Sequence, residues 1–144
     1  MTASRYLAIF ALLFLCTAAI WAPAADSTTA AGESITGIVW KWQQTRLGDG
    51  QTFLPENPDR YTIAFQTDGS LAIRADCNRV GGMYTLQNTS LTIETTFSTR
   101  AMCPPDSLDQ VFLKHLNAAA IYFTREEALH IDLKADTGTM TFSR

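Results

Sequence analysis

From residue 38 to residue 143, apolar side chains recur at every second position in several short runs. In "GIVWKWQQ", Ile38, Trp40 and Trp42 alternate with Val39, Lys41 and Gln43, and in "RYTIAFQ" Tyr61, Ile63 and Phe65 share one face. Period 2 is the signature of a strand with one buried side. "SLAIRAD" repeats it with Leu71 and Ile73. It follows "TDGS", whose Asp68-Gly69 pair supplies the positive φ angles of a two-residue hairpin turn. "MYTLQ" and "SLTIE" flank Asn88-Thr89 as a second hairpin. "ALHIDLK" points Leu129, Ile131 and Leu133 one way, and "TMTFS" does the same with Met140 and Phe142 across "ADTG", so at least seven strands are expected.

One segment changes period. In "PPDSLDQVFLKHLNAAAIYF", Leu108, Phe112, Leu116 and Ala119 recur at helical spacing. Pro104-Pro105 blocks an earlier start, and Ser107 with Gln110 can form a capping box, which predicts a helix over 106–121. A one-sided open sheet would leave apolar surface and strand edges exposed. The expected fold is therefore α+β and mainly antiparallel: a small barrel or half-barrel of about seven to eight strands with one α-helix packed across it.

The stretch "ADCNRVGGMY" reads as a shaped connection from a strand ending near Ala75 to one starting near Met83. Gly81-Gly82 permits backbone angles or close approaches that a side chain forbids, and Asn78 can cap nearby backbone groups. Its counterpart, "STRAMCPPD", ends with Cys103 just before the helix.

The first residues change how the cysteines are read. "MTASRYLAIFALLFLCTAAIWAPAAD" has one basic residue, Arg5, an apolar run to Trp21 and a small-x-small site, the parts of a secretory signal peptide. Cleavage is expected after Ala24 or Ala25, with residues 26–34 as a flexible leader and residues 35–144 as a single domain. The rival reading is an uncleaved membrane anchor, since the apolar stretch approaches the length of a spanning helix. Export implies a periplasmic or secreted protein, in which Cys77 and Cys103 are expected to pair. In a reducing compartment they would be buried thiols. The bond would draw Arg79 and Arg100 together, either as structural glue or as a small patch for an anionic group. Cleavage removes Arg5 from the chain's 11 basic residues and none of its 14 acidic ones. An acidic chain with unclustered basic residues excludes nucleic acid and anionic lipid as expected partners, leaving membrane contact only through an uncleaved N-terminal segment.

Taken together, "ITGIVWKWQQ", "CNRVGGMY", "STRAMC" and "LDQVFLKHLNAAAIY" resemble the successive motifs of the META domain, or HslJ-like, family, over Ile35 to Arg144. Ala75-Asp76 stands before the cysteine where a glycine is common, and Asp109-Gln110 where members often carry glutamate. The resemblance implies a compact β-rich fold with one helix in an exported or envelope-associated bacterial protein. Some members are linked to heat shock or drug tolerance, and no catalytic activity is established for the family.

The residues carry little reactive chemistry. His130 sits on the outward face of its strand and reads as solvated, whereas His115 falls within the apolar stripe of the helix. Neither has partner spacing for a metal, and no cofactor is expected. No nucleophile elbow or phosphate loop occurs. Glu126-Glu127 reads as a charged strand entrance whose carboxylates face opposite sides. Asn88-Thr89-Ser90 matches a glycosylation sequon, relevant only where the source glycosylates such sites. Trp40, Trp42, Tyr61, Phe65, Tyr84, Phe112, Tyr122 and Phe142 are expected to form a core, or else a barrel mouth for an apolar ligand.

The residues singled out are Cys77 and Cys103 for a disulfide, with Asn78, Arg79, Gly81, Gly82, Tyr84 and Arg100 for a binding or structural loop. The expected function is a non-enzymatic exported domain for stress tolerance or protein interaction, its partner an envelope protein. The alternatives are a module for a small apolar or anionic ligand, and a secreted hydrolase inhibitor using the long segment "LGDGQTFLPENPD".

Overall fold

A computed structural model describes residues 34–144. The expected signal peptide, and all of the leader but Ser34, lie outside the described residues. The alternating runs form β1 (Val39–Leu47), β2 (Thr52–Phe53), β3 (Tyr61–Phe65), β4 (Ser70–Ala75), β5 (Asn78–Gln87) and β6 (Ser90–Ser98). They continue with the helix α1 (Asp109–Asn117), β7 (Ala119–Arg125), β8 (Ala128–Leu133) and β9 (Gly138–Ser143). All strand pairings between these elements are antiparallel, and β1 meets both β3 and β9. The sheet therefore closes into an eight-stranded barrel, with β2 a two-residue flap on the edge of β1 that β3 leaves.

Trp40, Trp42, Ile63, Phe65, Leu129, Ile131, Met140 and Phe142 fill the interior. Each buried indole finds an acceptor: Trp40 Nε1 donates to the Ile35 carbonyl and Trp42 Nε1 to Thr45 Oγ1, both at 3.0 Å. A bulge at Gln43 shifts the parity of β1, which is why Thr45 rather than Gln44 turns inward.

The weak point of the closure is between β6 and β7, which share the single pair Ser90↔Ile121. There α1 packs against β6 and inserts Phe112 and Leu116, both fully buried. The Phe112 ring meets those of Trp42 at 5.0 Å, Tyr61 at 5.7 Å and Phe142 at 6.3 Å. The helix thus supplies the wall that the sheet lacks at its seam.

Four local expectations change. The helix is shorter at both ends than 106–121: Ala119 starts β7, since Ala119–Arg125 can pair with β8 and carries β-formers. No capping box forms. The N-cap is Leu108, Ser107 Oγ accepts from the Asp109 amide at 3.2 Å, and Gln110 Nε2 donates to Asp109 Oδ2 at 3.1 Å. Glu126 and Glu127, read as a strand entrance, are the two central residues of the β7–β8 turn, both with positive φ. At "TDGS" only Gly69 has positive φ, and the turn closes through Gln66 N to Ser70 O and Gly69 N to Gln66 O.

The fifth change is the largest. Asn78 through Gly82 is not a connection but the first half of β5, and the link from β4 is the two-residue turn Asp76–Cys77. Neither Gly81 nor Gly82 has a positive φ, so close approach is what they provide. In register, Gly81 faces Phe97 and Gly82 faces Thr95, leaving Thr96 as the extra residue of a bulge on β6. A Cβ on Gly82 would fall on the Glu94 carbonyl oxygen, whereas the nearest atoms to one on Gly81 all belong to the Phe97 ring. Gly82→Ala is therefore expected to cost about 1–3 kcal/mol in urea denaturation, and Gly81→Ala clearly less, because an exposed ring can swing away and a backbone cannot. Equal costs would show that the bulge can relax.

Candidate functional site

The site grows from the Asp76–Cys77 turn. Asp76 takes φ 57°, its amide donates to the Arg60 carbonyl at 2.7 Å, and its buried carboxylate pairs with the Arg60 guanidinium. Cys77 is disulfide-bonded to Cys103, with Cα atoms 5.5 Å apart, so the hairpin tip is tied to the segment that enters α1.

Asn78, 5% exposed, organises that segment. Its Oδ1 accepts from the Ala101 amide at 2.8 Å and from Thr99 Oγ1 at 3.0 Å. Its Nδ2 lies 3.3 Å from the Ala101 carbonyl, 3.3 Å from Cys103 Sγ and 3.4 Å from Asp109 Oδ2. One amide thereby holds the 99–103 loop, the disulfide and the first residue of the helix. Asp109 is itself buried, which its contacts to Asn78, Gln110 and Ser107 make tolerable.

The other singled-out residues do different work. The Arg79 backbone exchanges bonds with Thr99 while its side chain points outward from β5. Arg100 lines a separate depression of about 360 Å³ with Asn78, Ala101, Gln110 and Leu113. The two arginines thus border different parts of the surface. Tyr84 packs edge-on against Phe65 at 5.0 Å and donates its hydroxyl to the Gln66 carbonyl at 2.7 Å. Burial, followed by the charges of Asp68 and Tyr122, raises its pKa and keeps it a phenol.

A polar cavity of about 280 Å³ beside the turn holds Glu56, Asn57, Arg60, Asp76, Asp106 and Ser107. Sequence reasoning missed it, because Arg60 and Asp76 meet only through the register that sets Tyr61 opposite Ala75. The Tyr61 hydroxyl also accepts from the Leu108 amide at 2.9 Å, tying this wall to the helix entrance.

Of the histidines, His130 is stacked on Phe123 at 4.9 Å and half-buried. His115 is buried on α1 under the Phe53 ring of β2, and its Nδ1 has no hydrogen-bond partner. Burial, then the neighbouring Lys114 charge, lowers its pKa below the ordinary 6.5. The unfolded chain therefore takes this proton first as the pH falls, so the contribution of His115 is fully present above about 6.5 and declines below it, down to the folded pKa. The melting temperature is expected to fall between pH 7.5 and 5.5, and His115→Leu to flatten that slope. An unchanged slope in the variant would place the pH dependence elsewhere.

Among the described residues, no group of three or more His, Cys, Asp or Glu side chains is placed to hold a metal ion. The arrangement around Asn78 spends its polar groups on holding the loop, and its cysteines are joined to each other.

Comparison with known proteins places this geometry. The family model of the META domain matches residues 33–144. No curated protein matches the chain. Among solved structures, an NMR structure of a protein from Burkholderia xenovorans is similar, with TM-score 0.64 and 21% identity over 76% of this chain and 83% of that one. A crystal structure of a DUF4847-family protein from Bacteroides vulgatus aligns with TM-score 0.56 and 16% identity, over 76% of this chain and 93% of that one. At these identities the likeness is one of fold.

Proposed function

We propose, from the premise that this chain belongs to the META domain family, that it is an exported, non-enzymatic interaction module that helps the cell envelope tolerate stress. The family's molecular function is unknown, so the reading rests on the chain's own chemistry. Its central support is that the polar centre around Asn78 is consumed internally: the contacts of its amide go to the 99–103 loop, Cys103 and Asp109. No activated nucleophile or base is left there to run a reaction. The packed aromatic interior around Phe112 weighs against an apolar ligand held inside the barrel. The N-terminal sequence and the disulfide favour a periplasmic or secreted location, with membrane contact limited to an uncleaved leader.

The test is crosslinking of the purified mature protein, carrying a photoreactive side chain, into envelopes from stressed and unstressed cells. The expected result is a defined envelope protein, enriched under stress and competed away by excess unlabelled protein. Failure to recover any competable partner would remove the interaction reading.

A further inference from the structure

The outward positions of a one-sided antiparallel sheet are normally polar. Across five strands of this barrel they are not. Register sets Val39 opposite Ala64, Ala64 opposite Ala72, Ala72 opposite Gly81 and Gly81 opposite Phe97, a continuous outward row with no polar side chain. Four inter-strand steps give the row a length of about 19 Å. Its ends are bulky and exposed, Val39 at 55% and Phe97 at 67%, and its middle is as small as side chains allow. The result is a trough of about 290 Å³, lined by Val39, Ala64 and Ala72 and bordered by Thr62, Arg74 and Arg79.

The border is a second row, two positions along each strand and about 7 Å away: Lys41 opposite Thr62, Thr62 opposite Arg74, and Arg74 opposite Arg79. Lys41 is paired with Asp59 at 2.8 Å. Arg74 donates to the main-chain carbonyls of Asp76 and Asp59, both at 3.3 Å, and shares with Lys41 the charge of the Asp59 carboxylate. Arg79 is exposed and has no acidic partner among the described residues. Two guanidinium groups and a single carboxylate, Asp59, that Lys41 already holds leave an excess of positive charge beside an apolar trough, unexpected on a net acidic chain.

We propose that this face docks an acidic, apolar segment of a partner protein, with one apolar side chain in the trough and a carboxylate two residues along on Arg74 and Arg79. The spacing fits an extended segment, whose alternate side chains share a face about 7 Å apart. Charge complementarity selects the acid, and the small residues of the trough select a branched or aromatic apolar group. A trough of this size makes the contact weak and transient. The proposal rests on the interaction-module reading and names its surface.

The test is an NMR titration of the 15N-labelled mature domain with a peptide carrying Leu and Glu at alternate positions, against the same peptide with Lys in place of Glu. Shifts confined to Val39, Ala64, Ala72, Arg79 and Phe97, at millimolar peptide or below, are expected with the Glu peptide and not with the Lys peptide. Arg79→Glu, and separately Ala72→Glu, should each weaken binding about tenfold or more while leaving the melting curve near that of the parent. Shifts elsewhere, equal response to both peptides, or binding unaffected by both variants would overturn the proposal. So would sedimentation with phosphatidylglycerol vesicles that both variants abolish, in place of peptide binding, since the partner would then be a lipid surface. Because the titration needs no envelope, its failure discards this face and leaves the crosslinking experiment to judge the module reading.

Discussion

Replacing Phe112 by alanine is expected to lower the unfolding free energy by about 3–5 kcal/mol, read from urea denaturation. The side chain is fully buried, comes from the only α-helix among the described residues, and lies against Trp42, Tyr61 and Phe142. Its removal leaves a cavity where the sheet cannot compensate, since β6 and β7 are joined by one residue pair and α1 completes the wall. A domain of this size has about 5–15 kcal/mol of stability, so the loss would bring the variant close to unfolding at ordinary temperature. The tryptophan environment should report it too, because Phe112 stacks on Trp42 at an interplanar angle of 30°. A cost below about 1 kcal/mol would mean that the seam can close without the helix.

The same seam explains what the sequence revealed and what it withheld. Burial of Ile63, Phe65, Leu71, Ile73, Leu129 and Ile131 is legible because period-2 alternation is a local signal. The need for closure was legible as well, from too many one-sided strands. The strand pairings that effect it, β1 with β9 and the near-break at β6–β7, depend on contacts between segments far apart in the chain. The start of β5 is hidden in the sequence because Asn78, Gly81 and Gly82 look like turn residues by composition. Asn78 is there to hold the 99–103 loop, and Gly82 to let the backbone at Glu94 come close. The end of the helix is not legible locally because Ala118, Ala119 and Ala120 suit helix and strand alike until β8 is available to pair. The outward trough left no local trace at all. The apolar row that contains it takes five residues from five strands, and each one alone looks like an ordinary exception to alternation.

Disulfide removal tests whether the candidate site is held by covalent or by hydrogen-bonded means. Cys77 and Cys103 are separated by 26 positions, and the chain-entropy account gives about 3.5 kcal/mol for closing such a loop. Cys77→Ser with Cys103→Ser should therefore lower stability by about that amount in urea denaturation, with the barrel still folded. The Asn78 bonds to Thr99 and Ala101 need no sulfur, so they can keep the loop in register after the bond is gone. Asn78→Ala made in both backgrounds then separates the two contributions. If bond and amide act independently, the costs add. If they hold the loop jointly, Asn78→Ala costs more in the serine background, because there it removes the last anchor of the 99–103 loop instead of one of two. A disulfide cost below about 1 kcal/mol, with a large Asn78 cost in both backgrounds, would make the buried amide the main constraint on the loop. The compartment would then matter less to this fold than its cysteines suggest, since the loop would keep its shape where thiols are reduced.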